Sequence, residues 1–135
     1  MPAATEKSLA TGVLVEKGEG YCVLTKPNTD YAVRLETEGT IAGEVGKRVT
    51  GVIALRARRM DVITGGGRYI EPVSGRPRRV QGRVTETDAS ANTVTVDAAF
   101  PVVVTPHELQ RADQFELTSM VSFDAHPGAT FTPAG

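Results

Sequence analysis

Apolar and polar positions alternate in short bursts along this chain, and Gly, Pro, Asn and Asp separate the bursts. Alternation with a period of two sends successive side chains to opposite faces of an extended backbone, so each burst predicts a half-buried strand. "GVLVEK" (12–17), "YCVLTK" (21–26) and "YAVRLE" (31–36) are joined by "GEG" and "PNTD", both turn sequences. "RVTGVIALRAR" (48–58) and "RYIEPV" (68–73) complete a first series. The pattern then restarts with "RVQGRVTE" (79–86), "NTVTVD" (92–97), "FPVVVT" (100–105), "FELTSMVSF" (115–123) and "ATFT" (129–132), with "DASA" (88–91) as a further polar turn.

The restart reads as an internal repeat. "VTGVIAL" (49–55) lies over "LTSMVSF" (117–123) at an offset of 68, and Gly12 lies over Gly82 at an offset of 70. The units then run over about 9–74 and 79–133, with "SGRPRR" (74–79) as the joint. In the second unit "TPHE" (105–108) has the form of a helix start: Thr105 as cap, Pro106 at the first helical position, Glu108 three residues after the cap. This predicts a short helix over 106–112. The matching stretch of the first unit, "TEGTIAGEVG" (37–46), carries too many glycines and predicts a loop.

Three strands, a short helix and two further strands is the element order of the OB-fold, a small five-stranded Greek-key barrel. Both units resemble it, the second more closely. The expected fold is mostly β, with two similar small OB-like barrels or sandwiched sheets and one short helix in the second unit. The resemblance implies binding of single-stranded nucleic acid across strands two and three and the loops beside them.

Composition narrows the class. At 135 residues the chain fits one compact domain or two very small ones. It has no Trp, three Tyr and four Phe, so its core depends on branched aliphatics, which suit pleated sheets. Cys22 is the only cysteine, which excludes an intramolecular disulfide, and its place between Tyr21 and Val23 reads as core filling. "MPAATEKSLA" lacks the basic start and apolar run of a secretory signal. No run approaches the roughly 20 apolar residues of a membrane span. The expectation is an intracellular soluble protein with no membrane partner, and a virus-particle protein fits equally.

Charge changes the picture most. A formal net charge of -1 hides a strong segregation. Residues 56–83 carry Arg56, Arg58, Arg59, Arg68, Arg76, Arg78, Arg79 and Arg83 against Asp61 and Glu71, a net +6. Residues 84–135 carry one base, Arg111, against seven acids, a net -6. In "VTGVIALRARR" (49–59), alternation puts Val49, Ile53 and Leu55 on one face and Thr50, Val52, Arg56 and Arg58 on the other. In "RRVQGRV" (78–84), Val80 and Val84 face inward while Arg79 and Arg83 face out.

Three functions suit such a pattern. The arginines are a solvated face, since Arg outnumbers Lys 11 to 4 throughout. Alternatively they bind nucleic acid or another polyanion, because guanidinium groups match phosphates bidentately. Arg34, Arg56, Arg58, Arg59 and Arg68 would then line the groove, with Tyr21 and Tyr69 as stacking rings and "ITGGGRY" (63–69) as the loop between strands four and five. The third reading is assembly: the basic stretch meets an acidic region of another copy or another subunit, with Glu108, Asp113, Glu116 and Asp124 as the acidic side.

Catalytic patterns are missing. His107 and His126 stand in unlike contexts without a partner at metal-ligand spacing, and read as an exposed helix residue and a turn residue. "TGGGR" (64–68) lacks the Lys and Ser/Thr of a phosphate-binding loop, and Glu36 and Glu38 form an ordinary solvated edge pair. The expectation is a non-enzymatic assembly or interaction subunit, a homo-oligomer or part of a larger complex, with no cofactor and no metal. Polyanion binding stands second.

Overall fold

The computed structural model describes residues 4–134. Twelve strands follow one another: β1 (Ala10–Gly18), β2 (Tyr21–Thr25), β3 (Ala32–Glu36), β4 (Arg48–Arg56), β5 (Asp61–Ile63), β6 (Tyr69–Glu71), β7 (Ser74–Gly75), β8 (Arg79–Asp88), β9 (Thr93–Asp97), β10 (Pro101–Thr105), β11 (Met120–Asp124) and β12 (Thr130–Pro133). The expected mostly-β class holds. Turns fall where Gly, Asn and Asp predict them: Gly20, Asn28 and Asn92 all take the left-handed backbone conformation that these residues tolerate.

β1 pairs with β2, β2 with β3, β3 with β12, β12 with β4, and β4 again with β1. These five strands form a closed barrel, and its β3–β12 contact is parallel. The arrangement is compatible with an OB-like architecture. The sheet continues from β4 through β10, β9, β8 and β11 to β5. An antiparallel bridge between Ala57 and Ala125 then brings the end of β11 back beside the end of β4.

The halves expected at 9–74 and 79–133 share strands rather than standing apart. β12, from the second half, closes the first ring. The end of β4, from the first half, pairs parallel with Val103–Thr105 of β10, as β12 does with β3. Each half thus completes the other, and one continuous hydrophobic core runs through both, including Leu14, Leu24, Val33, Ile53, Val80, Val96, Val104, Phe100, Phe123 and Phe131.

The repeat is visible in the strand register. β1 and β2 shift register between Leu14 and Glu16, and β8 and β9 shift between Val84 and Glu86, at the offset of 70 set by Gly12 and Gly82. Gly12 faces Val49 across β1–β4, and Gly82 faces Val121 across β8–β11. Structurally, then, Val49 corresponds to Val121, whereas the sequence match sets Val49 over Leu117. That match is four residues out of register. It follows apolar alternation, which looks the same after every even slip.

The helix expected over 106–112 is absent. Among the described residues the only helical turns are single 3-10 turns at Glu6–Ser8 and Ala112–Gln114. Thr105 is the last residue of β10, paired with Arg56, and no helix follows it. The Gln110 side chain both accepts from the Met60 amide (2.9 Å) and donates to the Met60 carbonyl (2.8 Å). Asn92 Oδ1 accepts from the Ala112 amide at 2.8 Å, and Arg111 is extended. A seven-residue helix barely outweighs its own nucleation, so these long-range bonds decide the conformation. The strand expected from Phe115 begins only at Met120, because Glu116–Ser119 forms a turn with Thr118 at a φ of 73°.

Cys22 is fully buried in β2, and burial pushes its thiol up to about 11. At pH 8 roughly one molecule in a thousand would carry a thiolate at that value. Native protein is therefore expected to leave an aromatic disulfide reagent unreacted for an hour and to release one equivalent on unfolding. Prompt reaction of the folded protein would show that the β1–β2–β3 wall opens.

Candidate functional site

The last residues of β4 run on between the ends of β10 and β11. The Ala57 amide donates to the Thr105 carbonyl at 2.9 Å, the Arg58 amide to the Asp124 carbonyl at 2.9 Å, and the His126 amide to the Arg56 carbonyl at 2.8 Å. Alternation turns Ala57 inward, where it is buried, and leaves Arg56 and Arg58 exposed on the opposite face. The same geometry places His126 across from Arg56 and Asp124 across from Arg58.

A cleft of about 700 Å³ opens on this face, lined by Arg56, Arg58, Arg59, Asn92, Thr105, Pro106, His107, Glu108 and His126 together with Ala57. Arg59 bonds Asp61 at 3.0 Å. Arg56 and Arg58 form no ion pair among the described residues. His107 Nδ1 accepts from the Leu109 amide at 3.1 Å, so the neutral ring carries its proton on Nε2. The His126 imidazole is held below the ordinary histidine range, first by partial burial and then by the charges of Arg58, Arg56 and His107. Cationic groups thus converge in an open concavity that has one carboxylate of its own, Glu108. Such a surface attracts anions.

The other predicted residues do not join this cluster. Arg34 stacks on the Tyr21 ring, 3.9 Å from its centroid, and the Tyr21 hydroxyl donates to Glu16 at 2.6 Å. Arg68 pairs with Asp97. Arg79 bonds Asp124 at 2.9 Å and Ser122 Oγ at 2.8 Å, and Arg83 donates to the Thr118 carbonyl at 2.7 Å. Arg76 and Arg78 are exposed and lie outside the cleft lining. Tyr69 donates to Gln81 at 3.1 Å, and the 64–68 loop joins β5 to β6 rather than the fourth and fifth strands of a barrel. Of the acids, Glu108 lines the basic cleft, Asp124 is paired with Arg79, and Asp113 and Glu116 are exposed.

Two ion pairs, Arg68–Asp97 and Arg79–Asp124, link the basic stretch to the acidic one within a single chain. Their side chains are substantially solvated, so each contributes on the order of 0.2–1 kcal/mol. They nonetheless occupy two of the eight arginines. Asn92, His107 and His126 are site residues that the sequence reading assigned to the start of a strand, to the helix and to a turn. Their distance from Arg56 along the chain left no local signal, and only the strand exchange collects them.

No helix among the described residues is long and apolar enough to cross a membrane, and no group of three or more His, Cys, Asp or Glu side chains is placed to hold a metal ion. Compared with models of known protein families, with curated proteins and with solved structures, the chain matches none.

Proposed function

We propose that this protein is a non-enzymatic interaction subunit whose arginine cleft receives an acidic segment of another subunit, in a homo-oligomer or a larger assembly such as a cellular complex or virus particle. One observation carries the reading: Arg56 and Arg58 stand exposed and without an ion pair at a concave surface, while most of the neighbouring arginines are bonded within the chain. Asp113 and Glu116 are exposed carboxylates on the same chain, so a second copy can supply the acidic side.

Light scattering on nucleic-acid-free protein at low and high salt tests this. Wild type is expected to run as a defined oligomer at low salt and approach its chain mass of 14.3 kDa in high salt. Arg56→Glu with Arg58→Glu should be monomeric at every salt concentration, and Glu116→Arg in the same background should restore part of the oligomer. A wild-type monomer under all conditions would remove self-association.

Single-strand nucleic-acid binding is the second reading, favoured by the OB-like ring and by the same arginines. Stacking contributes about 1–3 kcal/mol per base in such binders. Here Tyr21 already carries Arg34 on its ring, and Tyr69 is tied to Gln81. Retention of single-stranded DNA that disappears in the double reversal, with the mass in solution unchanged, would put this reading first.

A further inference from the structure

We infer that the cleft seats an oxyanion between Arg56, Arg58 and the His126 imidazole, and that His126 takes up a proton as the anion binds. The inference rests on the reading of the cleft as an anion-receiving surface and adds its regulation: occupancy is controlled by pH.

The backbone puts the three groups together. Arg56 and His126 lie across from one another on adjacent strand ends, joined by the 2.8 Å bond from the His126 amide to the Arg56 carbonyl, and Arg58 is two residues further on the same face. The charged and titratable groups around His126 are Arg56, Arg58 and Arg59 from the run after β4, His107 and Glu108 from the loop after β10, and Asp124 from its own strand end. Asp124 is bonded to Arg79 and Arg59 to Asp61, which leaves Arg56 and Arg58 as the unpaired strong charges.

An empty cleft therefore opposes a third cation. Burial, Arg58, Arg56 and His107 all hold the imidazole neutral below its ordinary range. An anion between the guanidinium groups reverses the balance, since it screens their charge and offers the imidazolium a partner. The sign follows from linkage: if the bound form titrates at a higher pH than the free form, a proton is taken up on binding between the two midpoints. Affinity then rises as pH falls through that window and levels off below it. Carboxylates of a second copy and a free inorganic anion share this chemistry, and the two are separated by experiment.

Sulfate is a suitable probe because it stays a dianion across the histidine range. The imidazole carbon-bound proton signals of His126 and His107 would be followed against pH in sodium sulfate and in sodium chloride at equal ionic strength. The His126 midpoint is expected below that of an ordinary histidine in chloride and about one unit higher in sulfate, equivalent to about tenfold tighter binding to the protonated form. Arg58→Gln should raise the chloride midpoint and remove the sulfate response. Sulfate-induced shifts at cleft residues with an unmoved His126 midpoint would overturn proton coupling and leave the anion cleft standing. An absence of sulfate-dependent shifts at any cleft residue would overturn both. Solution mass under the same conditions distinguishes the sources: sulfate should dissociate the oligomer more than chloride does if a second copy's carboxylates occupy the seat. Sulfate binding with the expected shift in a protein that is always monomeric supports the proton-coupled site while removing self-association.

Discussion

A chain ended after Gly128 is expected to lose its cooperative unfolding transition, although it lacks only the last strand. β12 pairs with β4 along Gly51–Ala54 and with β3 at Glu36, and the Glu36 amide donates to the Ala129 carbonyl at 2.9 Å. Without it the first ring is open between β3 and β4, and the core is exposed where Ala129 and Phe131 had covered it. The single substitution Phe131→Ala isolates the packing part. This ring is 1% exposed, and removing a fully buried phenylalanine costs about 4 kcal/mol through lost burial and the cavity left behind. Native stabilities are about 5–15 kcal/mol, so a large share of the total is at stake. Urea titrations of the three proteins measure the effect. Self-contained halves would predict only a frayed terminus, and a truncated chain with an unchanged midpoint would favour that architecture over strand exchange.

Gly82→Ala is expected to destabilise the protein by about 3 kcal/mol, and Gly12→Ala, at the matching position of the first ring, by about 1 kcal/mol. The two glycines occupy equivalent places on β8 and β1. A Cβ on Gly82 would come within 2.4 Å of the Asp97 carbonyl oxygen and 2.8 Å of its carbon, both backbone atoms that cannot swing aside. On Gly12 it would meet the Thr25 carbonyl oxygen at 3.0 Å and the Phe100 ring at 3.2 Å, contacts that are tight but farther than those at Gly82. Thr25 and Asp97 are themselves equivalent, pairing with Val13 and Arg83. The glycine-over-glycine match thus has a steric cause, a first strand crossing close to the end of the second. Equal losses for the two variants, or a loss near zero for Gly82→Ala, would contradict the close approach seen at β8.

The strands were legible because their signals are local. Alternation places Leu14, Cys22, Leu24, Val33 and Leu35 inward, and all are buried. The same rule sets Val80 and Val84 inside with Arg79 and Arg83 outside. β5 and β7 were missed, since "DVI" is short and "SG" has no strand character at all; both exist only because β11 and β3 offer them an edge. The helix at 106–112 was expected from a real local preference, and lost to hydrogen bonds from Met60 and Asn92, 50 and 20 residues away from the groups they hold.

The cleft divides in the same way. Its arginines were visible as a cluster in "RARR", and their outward direction followed from alternation. Which arginines remain unpaired was not visible, because that depends on acids brought from elsewhere: Asp97 beside Arg68 and Asp124 beside Arg79. By itself the sequence determined the class of fold, the strand faces and the concentration of positive charge, all of which arise from neighbours along the chain. Tertiary structure alone decided that β12 of the second half closes the ring of the first, that the end of β4 pairs with β10 of the second, and that His107, His126 and Asn92 stand beside Arg56 and Arg58. The physical reason is that apolar alternation specifies which face of a strand is buried but not which edge it pairs with, and pairing depends on partners far along the chain that close around one core.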